Sequence, residues 1–274
     1  MICGFLGICC SMQTLKGILD RVSRGELSPI EAEKMLRLFA VDELGCLAKL
    51  DSKRELRKGV PEIILAEGKT PLDVAQICEM MVANNGGVLV SRCSLEHLEA
   101  IKTLNVVSTE DFVVSVNEIA KMVVIKKRAF ITGNKGGRVG ILTAGTSDIP
   151  VAEEAKIVAE EMGCAVFSCY DVGVAGIHRL FEPLKLLIES DVDVVVVVAG
   201  REGALSSVVA GLVDVPVIGV PTSNSYGFGA QGIGALMAML QSCSLGLAVV
   251  NIDGGVVGGA VAALIANRAA KFRK

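Results

Sequence analysis

Residues 138–155 read Arg-Val-Gly-Ile-Leu-Thr-Ala-Gly-Thr-Ser-Asp-Ile-Pro-Val-Ala-Glu-Glu-Ala. The apolar run Val139–Thr143 is typical of a buried strand, and Gly145 ends it. The next residues suit a helix N-cap: Thr146, Ser147 and Asp148. Pro150 then fits a first helical turn. The pattern predicts a strand, a tight turn and a capped helix, whose free N–H groups form either an anion site or an ordinary strand–helix loop.

After this unit, apolar runs and helical patterns alternate to the end of the chain. The predicted strands are Val139–Thr143, Ala165–Tyr170, Val192–Ala199, Val217–Val220 and Leu247–Ile252. The predicted helices are Ile149–Met162, Glu182–Glu189, Ala204–Leu212, Gly232–Ser242 and Val257–Asn267. The valine run Val192–Val198 fits a central parallel strand that is buried on both faces. Five strand–helix units predict an α/β fold with a doubly wound parallel sheet.

The rest of the chain suggests a second, smaller domain. A polar glycine loop, Gly133–Gly137, is the best candidate boundary. We therefore expect three segments: a disordered or alternative start (1–13), an N-terminal α/β domain (14–132) and the doubly wound domain (133–274). The N-terminal domain should begin with a helical hairpin, formed by Thr14–Ser23 and a second helix from the capping box at Ser28 to about Phe39.

Further elements of this domain are harder to read. Strands are predicted at Ile63–Ala66 and Val88–Val90, helices at Thr70–Val82 and Ser94–Leu104, and one or two strands within Val106–Lys127. We expect His97 at the surface of its helix. A solvated loop is the simpler explanation for three basic residues, and contact with an anionic ligand is the alternative: Arg54, Arg57 and Lys69.

Composition excludes several classes of protein. The net charge is −3 and no strong basic run occurs, so nucleic acid is not an expected partner. No uncharged apolar run reaches the roughly 20 residues that span a bilayer, so no membrane association is expected. The nine cysteines are scattered without zinc or disulfide spacing, which favours a reducing, cytoplasmic location and core thiols.

Polar residues concentrate where the five predicted strands end. Since ligands bind beyond the carboxyl ends of parallel strands, we expect a substrate site at this edge. Its candidate residues are Gly145, Thr146, Ser147, Asp148, Asp171, His178, Arg179, Glu202, Gly203, Pro221, Thr222, Ser223, Asn251 and Asp253. Glu202 is either a helix-start carboxylate or a base, and His178 a proton donor, a phosphate contact or a core residue. By spacing alone, Cys243 is a core thiol.

Several motifs together resemble the LarB family. They are Ala144-Gly-Thr-Ser-Asp-Ile-Pro-Val-Ala-Glu-Glu-Ala155, Asp171-Val-Gly-Val-Ala-Gly-Ile-His-Arg-Leu180, Glu202-Gly-Ala-Leu205, Pro216-Val-Ile-Gly-Val-Pro-Thr-Ser223, Ser242-Cys243 and Val250-Asn-Ile-Asp253. Upstream, Asp51-x-x-Arg-x-x-Arg-x-Gly-x-Pro-Glu62 extends the resemblance. It implies a flavodoxin-like catalytic domain, a three-layer sandwich similar to PurE, the aminoimidazole ribonucleotide (AIR) carboxylase or mutase.

The resemblance also implies a reaction. Members of the LarB family convert nicotinic acid adenine dinucleotide, CO2 or bicarbonate, and water into pyridinium-3,5-biscarboxylic acid mononucleotide and AMP, for nickel-pincer nucleotide biosynthesis. By motif, Cys243 is the nucleophile and Glu202 the base. The turn at residues 146–148 would hold a nucleotide phosphate. Hydrolysis implies Mg²⁺, for which Asp148 and Asp171 are the chosen ligands, and the related carboxylases imply a homo-oligomer, most simply an octamer.

Departures from the family pattern leave two other functions open. They lie at the ligand edge: Arg201, Asn224-Ser225, Gly254-Gly255-Val256 and Ser91-Arg92-Cys93. An AIR carboxylase would need no thiol, because its substrate is already an enamine. A non-catalytic nucleotide-binding protein on the same fold would bind a dinucleotide without turnover.

Overall fold

The computed structural model describes residues 15–36, 42–44, 48–50, 58–104, 111–128 and 133–273, and all structural statements concern these residues. The chain divides into two compact units, residues 1–58 and 59–274. This division does not test the boundary predicted between residues 132 and 133, which stays a prediction. The expected start, residues 1–13, lies outside the described residues, as do Arg54 and Arg57.

The first unit contains the predicted helical hairpin. Its elements are α1 (Leu15–Ser23), α2 (Pro29–Leu36) and the antiparallel strands β1 (Asp42–Leu44) and β2 (Ala48–Leu50). The capping box is confirmed, since the Ser28 N–H donates to Glu31 Oε2 at 3.1 Å and the Glu31 N–H donates to Ser28 Oγ at 3.2 Å. The helix end predicted near Phe39 lies outside the described residues.

The second unit begins with a four-stranded mixed sheet, here called the N-terminal sheet. Its order is β3–β4–β6–β5, with β3 and β4 parallel and the other pairs antiparallel. The elements are β3 (Ile63–Leu65), α3 (Pro71–Asn85), β4 (Gly87–Ser91), α4 (Leu95–Lys102), β5 (Phe112–Asn117) and β6 (Met122–Lys127). The one or two strands predicted within Val106–Lys127 are therefore β5 and β6.

The doubly wound parallel sheet is confirmed. Its strands are β7 (Arg138–Thr143), β8 (Ala165–Cys169), β9 (Val194–Ala199), β10 (Val217–Pro221) and β11 (Leu247–Val249). Its helices are α5 (Ile149–Glu161), α6 (Phe181–Glu189), α7 (Ala204–Ala210), α8 (Ile233–Leu240) and α9 (Gly255–Ala270). All pairs are parallel in the order β8–β7–β9–β10–β11. This is the flavodoxin-like order, which reverses between β7 and β9.

Close backbone packing holds the layers of this sheet. Every residue of β9 is buried, as its valine run predicts. Helices α5 and α9 lie against each other, and a Cβ atom on Gly259 would come within 2.3 Å of the Ala155 carbonyl oxygen. A larger residue there would force the two helices apart. None of the helices in the described part of the chain is both long and apolar enough to span a membrane.

Polar contacts join the N-terminal sheet to the parallel sheet. Lys126 on β6 forms an ion pair with Glu161 at the end of α5, at 2.7 Å. The Asn117 amide donates to Glu153 Oε2 at 2.9 Å. The N-terminal sheet is therefore attached along helix α5, which begins at the edge where ligands are expected.

Candidate functional site

The turn between β7 and α5 is fixed by Asp148. The edge at which β7–β11 end is called the carboxyl edge, and the opposite edge the amino edge. Asp148 Oδ1 accepts a hydrogen bond from Thr222 Oγ1 at 2.7 Å, and its Oδ2 accepts from the Gly145 N–H at 3.0 Å. Both side chains are buried. Burial raises the pKa of Asp148, and these hydrogen bonds oppose the rise. Asp148 thus ties the turn after β7 to the end of β10.

Glycines allow the loops of the carboxyl edge to meet. A Cβ atom on Gly200 would lie 2.7 Å from Thr222 Oγ1, and one on Gly173 would lie 2.5 Å from the Ala144 carbonyl oxygen. Both distances are too short for any residue larger than glycine. The ends of β9 and β10, and those of β7 and β8, therefore approach each other directly on either side of the point where the sheet order reverses, which is where α/β sheets bind ligands.

Most predicted substrate residues line this edge. Thr146 and Ser147 are exposed beyond the turn, and Pro221 is buried at the end of β10. The Ser223 N–H donates to Asp253 Oδ1 at 2.9 Å, which joins the loops after β10 and β11. Asn251 is exposed and its Oδ1 accepts from the following N–H. The fold thus assembles these loops within one chain, as the parallel sheet predicts.

The loop after β8 holds a separate ion pair. Arg179 Nη1 lies 2.6 Å from Asp171 Oδ2, and the Asp171 N–H donates to Thr143 Oγ1 at 3.0 Å. His178 is exposed, so the interpretation of His178 as a core residue is wrong. The roles of proton donor and of phosphate contact stay predictions for His178.

The two carboxylates predicted to bind Mg²⁺, Asp148 and Asp171, do not fit a magnesium site. The oxygens of Asp148 are bound by Thr222 and Gly145, and Asp171 is paired with Arg179. Within the described ranges, no group of three or more His, Cys, Asp or Glu side chains could hold a metal ion. Mg²⁺ prefers an open set of carboxylate, phosphate and water oxygens, which these engaged carboxylates do not offer.

Glu202 and Cys243 lie toward opposite ends of α7. Glu202 is exposed at the carboxyl edge and directly precedes Gly203, the left-handed N-cap of this helix. Cys243 lies toward the amino edge, because Ser244 Oγ donates to Ser207 O at 2.7 Å and lies 3.7 Å from a Cβ built on Gly211, at the helix end. A seven-residue helix is about 10 Å long. The contacts of Ser244 therefore place Cys243 toward the far end of α7 from Glu202 within one chain.

Cys243 differs from the other described cysteines. It is exposed, whereas Cys78, Cys93 and Cys164 are buried and Cys169 is half-buried. Burial raises the pKa of the Cys164 thiol to about 11 and that of Cys93 to about 11. The core position inferred from spacing alone is therefore wrong for Cys243, and its exposure is compatible with a reactive thiol.

Residues that depart from the family pattern form defined contacts. The Arg201 guanidinium stacks 4.1 Å from the centre of the Tyr226 ring and donates to Tyr226 Oη at 2.7 Å. Asn224 donates to the Ser147 carbonyl oxygen, and Ser225 Oγ accepts from the Gly232 N–H at 2.8 Å. These substitutions shape the loop beside Glu202 without removing the hydrogen bonds that hold the edge.

A cleft of about 500 Å³ opens between the N-terminal sheet and the carboxyl edge. We call it the seam cleft, and its lining includes Arg92, Lys121, Ser147, Glu154, Ser223 and Asp253. Sequence reasoning missed Lys121 and Glu154 as site residues. Local sequence patterns do not indicate a cleft that forms only when two sheets pack together. The one signal was Arg92, which lies in a segment that departs from the family pattern.

Glu154 is a buried carboxyl group in this cleft. Its side chain is 7% exposed, and burial raises its pKa to about 7. Arg92 lowers this pKa, whereas Asp253 and Glu67 raise it. The group therefore changes charge near neutral pH, which is common where ligands bind.

His97 is buried and not at the surface, contrary to expectation. Its Nδ1 accepts from the Ser94 N–H at 3.0 Å, so its Nε2–H donates to the Lys69 carbonyl oxygen at 3.0 Å. Lys69 itself is exposed and its Nζ donates to Leu65 O. This histidine joins α4 to the loop before α3.

Two family models match consecutive parts of the chain. The LarB/PurE-like N-terminal domain matches residues 41–128, and the AIR carboxylase domain matches residues 138–273. An uncharacterized protein of Methanocaldococcus jannaschii is 45% identical over 255 residues, which are 93% of this chain and 97% of that protein.

Similarity to enzymes of known activity is confined to part of the chain. The N5-carboxyaminoimidazole ribonucleotide mutase of Thermotoga maritima is 32% identical over 108 residues, 38% of this chain and 59% of the mutase. The mutase of Pyrococcus horikoshii is 32% identical over 120 residues, 42% of this chain and 64% of that protein. Together with the carboxyl-edge geometry, these matches support a carboxylase or mutase type of enzyme. The chain belongs to the LarB family, with a PurE-like catalytic domain.

Proposed function

We propose that the protein carboxylates and hydrolyses nicotinic acid adenine dinucleotide. CO2 or bicarbonate and water are the co-substrates, and pyridinium-3,5-biscarboxylic acid mononucleotide and AMP are the products. This reaction would serve the synthesis of a nickel-pincer nucleotide. The observation that carries the proposal is that Cys243, which matches the family motif, is the one exposed thiol among the described cysteines.

The chemistry of the ring explains why a thiol is needed. A pyridinium carbon is electron-poor and does not attack CO2. When the Cys243 sulfur adds to C4, the ring becomes a dihydropyridine in which C5 is nucleophilic. C5 then forms a bond to CO2, Glu202 takes the C5 proton, and the C4–S bond breaks to restore the aromatic ring. Hydrolysis of the phosphoanhydride by water releases AMP.

The phosphate of the reacting nucleotide is assigned to the turn after β7. Thr146 and Ser147 are exposed there, next to the first N–H groups of α5. A helix N-terminus favours anions because its N–H groups are unpaired. The buried contact between Asp148 and Thr222 would keep this turn in place during binding. Because Asp148 and Asp171 are engaged, any Mg²⁺ would bind through phosphate and water oxygens.

We propose that the protein works as a homo-oligomer, most simply an octamer. Leu245 is 92% exposed near Cys243, and Phe228 is fully exposed at the carboxyl edge. Apolar surface of this kind is commonly covered by another subunit. If the amino edge of one copy meets the carboxyl edge of another, Cys243 of one chain reaches the Glu202 site of the next. This arrangement would unite the two residues that one chain keeps apart.

An AIR carboxylase or mutase is the second candidate. The named mutases match 38% and 42% of this chain, at 32% identity. Their substrate would not need Cys243, because an aminoimidazole ring is already an enamine and attacks or releases CO2 without covalent activation. The thiol therefore distinguishes the two functions.

Mass spectrometry tests the proposed reaction. The purified protein is incubated with nicotinic acid adenine dinucleotide, bicarbonate and Mg²⁺. We expect AMP together with a nucleotide heavier by one carboxyl group than nicotinic acid mononucleotide. If folded protein yields no such product but carboxylates aminoimidazole ribonucleotide, the second candidate is correct.

A further inference from the structure

The seam cleft is continuous with the site proposed for the reacting nucleotide. Ser147 and Ser223 line the cleft, and both were predicted from the sequence as carboxyl-edge residues. Opposite them, the N-terminal sheet contributes Arg92 and Lys121. Its volume of about 500 Å³ falls within the range of about 300–1,000 Å³ that is typical of small-molecule sites. A ligand bound at the turn after β7 can therefore extend into the cleft.

Two basic side chains line the cleft: Arg92, which is held by other residues, and Lys121, which is not ion-paired within the described residues. Arg92 Nη1 lies 2.7 Å from Glu67 Oε2, and its Nη2 donates to the Asp253 carbonyl oxygen at 3.1 Å. These two contacts orient the guanidinium across the seam before any ligand arrives. Lys121 is exposed and has no ion pair with any residue in the described ranges. It is therefore available for the charge-assisted hydrogen bonds that phosphate oxygens accept.

The cleft also offers two carboxyl groups as hydrogen-bond acceptors. Asp253 Oδ1 accepts from the Ser223 N–H at 2.9 Å, which leaves its second oxygen available. Glu154 is bound by the backbone of Val256 at the start of α9. Acidic side chains commonly accept hydrogen bonds from ribose hydroxyls in nucleotide sites. Cations beside carboxyl groups match a ligand that has both a phosphate and a vicinal diol.

We propose that the seam cleft binds the nucleotide that the hydrolysis releases, a nucleoside 5′-monophosphate. Its phosphate faces Lys121 and Arg92, and its ribose hydroxyls donate to Asp253 and Glu154. This inference rests on the proposed function, because only a dinucleotide substrate has such a second half. It gives the N-terminal sheet a role, because this sheet lies beside the carboxyl edge and would bind the half of the substrate that hydrolysis releases.

Titration calorimetry tests this subsite without turnover. The full-length protein is titrated with AMP, with adenosine and with inorganic phosphate. Lys121→Gln is the test variant, and Lys127→Gln is its matched control, because Lys127 is an exposed lysine at the end of β6 that does not line the cleft. We expect AMP to bind the wild-type protein and Lys127→Gln equally, and Lys121→Gln about tenfold more weakly.

A second measurement uses the other half of the substrate. Nicotinic acid mononucleotide should bind Lys121→Gln as tightly as it binds the wild type, because it occupies the turn after β7. The subsite would be overturned if Lys121→Gln and the wild type bound AMP with equal affinity. It would also be overturned if the wild type bound AMP no more tightly than it binds inorganic phosphate. The product assay fails independently if the reaction is wrong, so the two failures are distinguishable.

Discussion

The two edges of the parallel sheet differ in how completely one chain builds them. At the carboxyl edge, the hydrogen bonds of Asp148 with Thr222 and Gly145, and of Asp253 with Ser223, lock the loops together. At the amino edge, Cys243 lies exposed near an almost fully exposed Leu245. On the proposed function, one chain therefore provides ligand binding, and the covalent chemistry would require the amino edge of a second chain.

Mixing two inactive variants would test this division most strongly. Cys243→Ser and Glu202→Gln should each lower carboxylation by about 10²–10⁴-fold, the range typical of a lost nucleophile or base. If the two residues meet between copies, joint refolding of both variants should restore part of the activity, because some sites then combine an intact Cys243 with an intact Glu202. The rate is measured by product formation.

Joint refolding of Cys243→Ser with itself is the control for that experiment. It should stay inactive at every protein concentration. Activity that never rises in the mixed sample, despite verified mixed oligomers, would show that both residues act within one chain.

Removing the carboxylate that locks the carboxyl edge should strongly destabilise the fold. Asp148→Ala leaves the buried Thr222 hydroxyl and the half-buried Gly145 N–H without their acceptor. One buried and one half-buried unsatisfied group cost about 3 kcal/mol in the free energy of unfolding. Urea denaturation measures this change. Asp171→Asn is the matched control, since Asp171 is partly exposed and asparagine tolerates its left-handed backbone, so the loss of the ion pair with Arg179 should cost under about 1 kcal/mol.

The buried carboxyl group of the seam cleft should instead make stability depend on pH. Glu154 has a pKa near 7 in the folded protein, against a usual value of 4.5, in the field of Arg92, Asp253 and Glu67. The unfolded chain therefore releases this proton at lower pH than the folded one. Between pH 4.5 and 7 the free energy of unfolding falls by about 3 kcal/mol, and the loss persists at higher pH.

Glu154→Gln should remove this pH dependence. The variant should match the wild type in stability below pH 4.5 and exceed it by about 3 kcal/mol at pH 8. Denaturant unfolding at a series of pH values measures the difference, with Glu189→Gln as an exposed control. A wild-type profile that remains parallel to that of Glu154→Gln would contradict an elevated pKa.

A charge at the amino edge should alter assembly with little change in fold stability. Leu245→Asp places a carboxylate on a residue that is 92% exposed, so the unfolding free energy of the single chain should change by less than about 0.5 kcal/mol. Sedimentation should nevertheless show smaller particles than the wild type. Leu95→Asp, on the exposed side of α4, should leave the particle size unchanged.

Local patterns predicted the catalytic sheet better than its surroundings. The valine run of β9 and the proline-containing start of α5 are local patterns that favour one type of secondary structure. The predicted strands and helices of this sheet therefore agree closely with the observed ones. The carboxyl-edge residues followed from topology. His97 was misplaced because its burial depends on a hydrogen bond to Lys69, a residue distant in sequence.

The missed features all depend on packing between distant segments. Lys121 becomes a cleft residue only because the turn after β5 approaches the start of α5, and Glu154 packs against Gly255 at the start of α9. The distance between Glu202 and Cys243 likewise depends on how α7 lies beside the segment at Ser244. No pattern within either segment contains this information, and the role of Cys243 as nucleophile rests on the family motifs and stays a prediction.

The most direct measurement compares the wild type with Cys243→Ser on two substrates. Each protein is incubated with bicarbonate and either nicotinic acid adenine dinucleotide or aminoimidazole ribonucleotide, and products are identified by mass spectrometry. The proposed function predicts that the wild type forms the carboxylated pyridinium mononucleotide and AMP, and that folded Cys243→Ser forms the carboxylated product at least about 10²-fold more slowly. An unchanged yield of carboxylated product in Cys243→Ser, from either substrate, would contradict thiol-dependent carboxylation.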